Sequence, residues 1–339
     1  MANVFTDEAE PPSSFPERTR DGRAETPSSL ARRCRRFEES KKDCEEGEGN
    51  SAVTTWPKPA DDLLGEGDYY VAQRVLPPVY VSPAGGRESL RRNLRLLRGI
   101  GPRTEERLKA QGYHDLVCLS QHSRWGQAAR AMLAAIEEGD CGTLLRCGAS
   151  ELDLLGCYPE TGIAFMDIET TGLYSAQPLF LVGILGFCDD RSVFLRQFLA
   201  RSYEEEAAVL AAVRGELGKF PVIATYNGHR FDLPYIRDRM AFHGIECESC
   251  RLHVDLLRVV RRLYRGVLPD CRLVTVAAHL LGYERHGDIP GALIPEAYHE
   301  FVRSRNPALI RPILEHNAMD LHALALILEN ILEEAVRRP

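Results

Sequence analysis

The sequence lacks an excess of basic residues, a membrane-length apolar run and a basic, apolar leader. Its 42 Lys and Arg are outnumbered by 49 Asp and Glu, which gives a net charge of −7 over 339 residues. That charge excludes a uniformly basic nucleic-acid coat of the histone type, because the phosphate backbone favours positive protein charge. The longest apolar run, from Leu179 to Phe187, is far shorter than the about 20 residues that cross a bilayer. We therefore expect no membrane partner and a cytoplasmic location.

A second matching pair of cysteines is also missing, although the chain has ten cysteines. Cys247 and Cys250 have the spacing of half a zinc site, with His253 nearby, but no second pair completes it. In the absence of a visible secretory leader, the cysteines are expected to be ordinary reduced thiols.

The charge is distributed unevenly over three segments. Residues 1–66 carry a net charge of −5, residues 67–150 carry +4 and residues 151–339 carry −6. The first segment is rich in Pro, Ser, Glu and Arg and has few periodic apolar positions, so it offers little apolar area to offset the entropy of ordering. We expect a disordered tail over 1–66, a small basic, mostly helical module over 67–150 and a larger domain over 158–336.

The basic module contains a glycine hairpin, Gly99-Ile100-Gly101, between two helical patterns. This segment resembles the helix-hairpin-helix motif, which binds nucleic-acid backbones without sequence preference. The N–H groups of Gly99 and Gly101 beside a helix N-terminus favour a phosphate oxygen. Arg103 and Arg107 add positive charge, as nucleic-acid binding requires. The alternative is a tight helical turn that serves packing only.

Strand and helix patterns alternate in the larger domain. Strand patterns cover 162–166, 180–187, 192–198 and 222–225, and helix patterns cover 203–217, 231–243, 255–264 and 307–336. Adjacent hairpin strands followed by helix–strand units predict an α/β fold, with a mixed sheet and helices on its faces.

Two carboxylates stand at the end of the first of these strands, in Asp167-Ile168-Glu169. Alternate residues of a strand face the same side, so Asp167 and Glu169 point together. Neighbouring carboxylates repel each other unless a cation lies between them. Hard oxygen ligands of this kind suit Mg²⁺ or Mn²⁺. The alternative is an acidic strand end that is open to water.

Two later clusters carry further polar groups. In the first, an Asn-Gly turn at Asn227 follows a strand, and Asp232 stands at a helix start. A carboxylate at that position also serves as an N-cap, which is a purely structural alternative. In the second, His316 and Asp320 are four residues apart and share a helix face, with Asn317 close to it. A water-bridged polar face is the alternative there.

Together the three clusters resemble the motifs of ribonuclease-H-like, DnaQ-like 3′–5′ exonucleases with an Asp-Glu-Asp-Asp centre. They occur in the order D-I-E-T-T-G-L, N-G-x-x-F-D and H-N-x-x-D. Further segments make the match closer to the YprB-like branch, over roughly residues 160–336. These segments are Cys271-Arg272-Leu273, Asp288-Ile289-Pro290-Gly291, Ile294-Pro295 and Tyr298.

The resemblance implies a metal-dependent hydrolase with a ribonuclease-H-like fold. Asp167, Glu169, Asp232 and Asp320 would hold two divalent cations, Mg²⁺ or Mn²⁺. His316 would accept the proton of the attacking water, and the products would be nucleoside 5′-monophosphates. Related exonucleases place a His five residues, or a Tyr four residues, before the final Asp. This chain has a His four residues before it, so orienting water or contacting phosphate is an alternative role for His316.

Three more residues of this domain are candidate contacts to nucleic acid. Arg258 and Arg262 belong to a basic helix face that would follow a phosphate backbone, although a solvated helix face is the alternative. Asn227 lies in the turn before the second acidic cluster. We expect a 3′–5′ exonuclease acting on DNA or RNA. A non-catalytic nucleic-acid-binding protein on the same fold and a structure-selective endonuclease are the alternatives.

Overall fold

A computed structural model describes residues 68–82, 85–188, 192–247, 250–283, 285 and 287–337. Its six-stranded sheet has the order β1-β4-β3-β2-β5-β6. The strands are β1 (Tyr70–Leu76), β2 (Ile163–Thr170), β3 (Leu179–Phe187), β4 (Val193–Leu199), β5 (Val222–Thr225) and β6 (Leu252–Asp255). The pairs β1–β4, β4–β3 and β3–β2 are antiparallel, whereas β2–β5 and β5–β6 are parallel. The mixed sheet that the alternating patterns predicted is therefore confirmed. The expected disordered tail over 1–66 lies outside the described residues.

Helices cover both faces of this sheet. They are α1 (Gly86–Arg92), α2 (Pro102–Ala110), α3 (Leu116–Leu119), α4 (Gly126–Glu138), α5 (Cys141–Arg146), α6 (Glu151–Leu155), α7 (Glu206–Leu217), α8 (Asp232–Phe242), α9 (Leu256–Leu263), α10 (Leu273–Leu281), α11 (Ile294–Ser304) and α12 (Arg311–Arg337). Every residue of β3 is buried, as expected for a central strand with both faces covered. Within the described residues, no helix is both long and apolar enough to span a membrane.

The two faces of the sheet carry two separate hydrophobic cores. Phe165 of β2 and Val222 of β5 pack on the face that α9, α10 and most of α12 cover. Met166 and Ile168 point to the other face and pack with residues of α7, α8 and α11. Because the strand side chains alternate, Asp167 and Glu169 lie on the α12 side at the end of β2.

Strand β1 belongs to the sheet, although the sequence placed it in the basic module over 67–150. It pairs with β4 from Tyr70↔Leu199 to Leu76↔Val193. The helices of that module also share a core with the sheet, since Leu90 and Ile136 pack in the same cluster as Phe165. Local periodicity does not reveal this arrangement, because the partner strand of β1 is remote in sequence.

The glycine hairpin forms at the start of α2, but the segment before it is not an α-helix. Gly99 has φ +90°, and Gly101 caps α2, which begins at Pro102 as the pattern predicted. A side chain at Gly99 would also approach the Trp125 ring to 3.1 Å. The predicted first helix is interrupted after Arg92, and only a 3₁₀ turn over Leu94–Leu96 precedes the hairpin.

Candidate active site

Strand β2 presents two carboxylates on one face. Asp167 and Glu169 are half-buried, and Ile168 between them is buried in the opposite core. Burial raises the pKa of Asp167 well above its usual value, and repulsion from Asp320 and Glu169 adds to this effect. Burial likewise raises the pKa of Glu169 to about 8, against the attraction of His316. Neighbouring carboxylates that are withdrawn from water therefore destabilise each other's charged form.

The third carboxylate comes from the first turn of α8. Asp232 is 4% exposed, and the N-cap position belongs to Phe231, so Asp232 does not act as the cap. Its pKa is raised to about 7, chiefly by burial, and the charges of Asp255 and Asp320 contribute to the increase. A backbone N–H of Ile168 opposes this shift, which places the Asp232 carboxylate beside β2. The structure thus gives Asp232 no capping role to explain its burial.

Helix α12 supplies the fourth carboxylate together with a histidine and an asparagine. His316 Nε2 lies 3.5 Å from Asp320 Oδ2, as expected for two residues on one helix face. Asn317 is fully buried, and its Nδ2 donates a hydrogen bond to Asp167 Oδ2 over 2.9 Å. This bond ties α12 directly to the first acidic cluster. The structure therefore brings together Asp167, Glu169, Asp232, His316 and Asp320, which are distant in sequence.

Two side chains beside this cluster had no role in the sequence analysis. Asp288 Oδ1 lies 2.8 Å from His316 Nδ1, and Asp288 Oδ2 lies 3.1 Å from Arg285 Nη1. The second nitrogen of Arg285, Nη2, contacts Asp320. Burial lowers the pKa of the guanidinium, but Asp320 and Asp288 outweigh that effect and raise it. The sequence could have indicated Asp288, because it is the only carboxylate of the D-I-P-G motif and had been given no function. For Arg285 there was no such signal.

His316 has its pKa raised above the usual value. Burial alone would lower it, but the hydrogen bond to Asp288 and the charges of Asp320 and Glu169 act in the other direction and prevail. Asp288 in turn has a lowered pKa, because His316 and Arg285 overcome the effect of its burial. The imidazole is therefore held between two carboxylates, with one ring nitrogen on each.

Asn227 lies in a strained turn that a buried carboxylate organises. It has φ +67°, which is uncommon for a residue other than glycine. Its N–H donates to Asp255 Oδ1 over 2.9 Å, and the N–H of His229 donates to Asp255 Oδ2 over 3.2 Å. Asp255 thus holds the turn that leads into α8 and positions Asp232.

The other predicted nucleic-acid contacts lie on separate elements. Arg103 and Arg107 are exposed on α2, whose N-terminus borders a cavity of about 430 Å³ near Gly101. Arg258 and Arg262 are exposed on α9, and Arg262 Nη1 lies 3.4 Å from Glu151 Oε2 of α6. These residues are not part of the acidic cluster. Their exposure leaves them accessible to a polyanion.

The four carboxylates supply the hard oxygen donors that Mg²⁺ and Mn²⁺ prefer. Their burial and mutual repulsion create a site that a divalent cation would relieve, so the donor chemistry fits. Among the residues that the structure describes, no group of three or more His, Cys, Asp or Glu side chains has metal-site spacing. Asp320 is instead engaged by Arg285. For Asp320 to bind a cation, the cation must replace Arg285 as the partner of its carboxylate.

The sheet order and the converging carboxylates define a ribonuclease-H-like domain, a fold found in nucleases. Residues 164–332 match the family model of the RNase H superfamily, so this domain belongs to that superfamily. Members of this superfamily generally use divalent metal ions.

Two known proteins share this part of the chain. YprB of Bacillus subtilis (strain 168) is 33% identical over 173 residues, which are 49% of this chain and 41% of YprB. The chain therefore spans less than half of the length of that relative. The identity over this domain makes the domain YprB-like. A family B DNA polymerase from the archaeon Pyrobaculum calidifontis has a TM-score of 0.42 and 19% identity, over 51% of this chain and 25% of the polymerase.

Proposed function

We propose that the protein is a metal-dependent nuclease that removes nucleotides from the 3′ end of DNA or RNA. One observation carries the proposal, namely the convergence of Asp167, Glu169, Asp232 and Asp320 from β2, α8 and α12. These residues would hold two divalent cations, Mg²⁺ or Mn²⁺, which activate a water and stabilise the leaving oxygen when bound. Four carboxylates in one partly buried cluster argue against a purely non-catalytic scaffold.

His316 would accept the proton of the attacking water at Nε2. Its Nδ1 faces Asp288. When the neutral ring carries its hydrogen on Nδ1 and donates a hydrogen bond to that carboxylate, Nε2 has a free lone pair and can accept the proton. Nε2 lies on the side of Asp320, within the acidic cluster. Asp288 thus compensates for the four-residue spacing between His316 and Asp320 by fixing the orientation of the ring.

The substrate would be held by positive charge outside the acidic cluster. The N-terminus of α2 at Gly101, with Gly99, Arg103 and Arg107 beside it, would bind backbone phosphates. Arg258 and Arg262 on α9 would extend this contact, and Asn227 would approach the substrate from the turn before α8. Phosphate contacts of this kind position a strand without reading its sequence.

The decisive experiment compares two Asp→Asn variants on the same helix. We expect Asp232→Asn to reduce turnover of 3′-terminal nucleotides by at least about 10²-fold, because a direct ligand is removed. Asp238→Asn, an exposed carboxylate on α8, should leave turnover unchanged. The assay uses end-labelled single-stranded DNA, single-stranded RNA and a hybrid, each with Mg²⁺ or Mn²⁺.

The products separate this proposal from its rivals. Release of mononucleotides that stops when the 3′ end is blocked supports the exonuclease. Longer fragments from blocked substrates would support a structure-selective endonuclease. Binding without cleavage in every metal and substrate combination would show a non-catalytic protein. Undiminished cleavage by the Asp232→Asn variant would contradict the role of the carboxylate cluster.

A further inference from the structure

Three residues on neighbouring strands form one row across the sheet. Asp167 of β2 is the register partner of Gly183 on β3, and Gly183 is the register partner of Gln197 on β4. Residues in such a row point to the same face of the sheet. Since adjacent strands are about 4.8 Å apart, Asp167 and Gln197 are separated by about 10 Å, with only a glycine between them.

The Asn317 side chain of α12 fills the space above that glycine. A Cβ atom at Gly183 would lie 2.1 Å from Asn317 Oδ1 and 2.5 Å from Leu321 Cδ1. Any larger residue at this position would thus displace the helix or the amide. The glycine permits α12 to approach the sheet closely enough for Asn317 to reach both neighbours in the row.

Hydrogen bonds connect the row in a defined direction. Gln197 Nε2 donates to the Leu314 carbonyl oxygen over 2.8 Å and to Asn317 Oδ1 over 2.9 Å. Since the Leu314 carbonyl oxygen can only accept, the nitrogen of the Gln197 amide must face it, and the orientation of this amide is determined. Asn317 Oδ1 must then accept, so its Nδ2 faces Asp167 Oδ2 at 2.9 Å. Gln197 is 1% exposed and Asn317 is fully buried, so water does not compete for these bonds.

We propose that Gln197, acting through Asn317, is a positioning residue that orients the Asp167 carboxylate for a divalent cation. The inference rests on the proposed function, since it assigns Asp167 to the metal site. Partners behind a ligating carboxylate hold its orientation before the ion arrives, and removing them weakens metal affinity. The side-chain amide of Gln197 donates its hydrogen bonds to Leu314 and Asn317, so its effect on Asp167 passes through the Asn317 amide.

The test measures Mn²⁺ affinity by isothermal titration calorimetry on the full chain. Gln197→Met and Asn317→Leu keep side-chain volume while removing the hydrogen bonds. We expect each to raise the Kd for Mn²⁺ by about 10- to 100-fold. The Kd of the double variant for Mn²⁺ should not exceed that of the weaker-binding single variant, because both changes break the same chain of hydrogen bonds to Asp167. Asn330→Leu is the control, since it lies about 20 Å further along the same helix.

A purely structural role predicts a different result. The variants would then unfold at lower temperature without metal but would bind Mn²⁺ with wild-type affinity, and this outcome would overturn the inference. Additive losses in the double variant would also overturn the claim that Gln197 acts through Asn317. If the wild-type chain bound no Mn²⁺, both the proposed function and this inference would fail. Wild-type binding with unaffected variants would reject the inference alone.

Discussion

Replacing Glu169 by glutamine should stabilise the metal-free protein while removing its proposed activity. Glu169 lies beside Asp320 and Asp232 in a buried cluster, and its pKa is raised from 4.5 to about 8. A carboxylate with this change in pKa weakens the folded state at pH 7 by about 3 kcal/mol. Because the side chain is half-buried, solvent screening reduces that figure, and we expect a gain of about 2 kcal/mol from Glu169→Gln. Such a gain raises Tm by about 3 °C for a chain of this length.

The sign of the pH dependence follows from the direction of the shift. The folded-state pKa of Glu169 lies above the unfolded value, so ionisation weakens folding as the pH rises from 4.5 toward 8. Below pH 4.5 the carboxyl is protonated in both states and the difference disappears. At pH 5 the gain from Glu169→Gln should therefore fall below about 1 kcal/mol.

Thermal unfolding in EDTA, at pH 7 and at pH 5, tests this prediction. Glu204→Gln, an exposed change on the same chain, should alter stability by less than about 0.5 kcal/mol. With saturating Mn²⁺ the order should reverse, since cation binding adds about 2.7 kcal/mol at 100 times the Kd, and the variant binds more weakly. A Glu169→Gln variant that is less stable than the wild type in EDTA at pH 7 would refute the reasoning.

Two further predictions concern other parts of the molecule. Glu206 is buried and accepts hydrogen bonds from Arg239 Nε at 2.7 Å and from His243 at 2.8 Å. Glu206→Gln should lower the free energy of unfolding by about 3 kcal/mol in urea titrations at pH 7. Since the pKa of Glu206 is lowered on folding, this difference should shrink as the pH falls through that pKa, and a deficit that persists in acid would contradict it. The double variant Arg103→Ala/Arg107→Ala should weaken nucleic-acid binding and reduce the salt slope by about 1 for each phosphate that is no longer neutralised. Fluorescence anisotropy at several salt concentrations measures this slope, and an unchanged slope would exclude α2 from the interface.

Much of the RNase H-like domain was predictable from short-range patterns. The alternation of strand and helix periods predicted the mixed sheet, and the strand over 222–225 was located without error. The acidic motifs singled out Asp167, Glu169, Asp232 and Asp320, and the structure brings these four carboxylates together. The charge of the sequence also excluded a uniformly basic protein.

Strand pairing and side-chain contacts depend on which distant segments of the chain meet. The local periodicity of the sequence does not predict these meetings. The pairing of β1 with β4 joins a strand to a partner far along the chain. The contact of Arg285 with Asp320 arises only when the segment before α11 folds against α12.

By itself, the sequence determined most elements of the larger domain and singled out the carboxylates, because helix and strand periods and motif spacings are properties of neighbouring residues. Only the tertiary structure decided how those carboxylates are supported. In the sequence, Gln197 is a polar residue in a mostly apolar strand, with nothing to indicate a role. The sheet register places it in a row with Gly183 and Asp167. Asn317 then joins the two ends, since the absent side chain of the glycine admits α12. Sheet register and close helix approach are long-range properties, and the orientation of Asp167 follows from both.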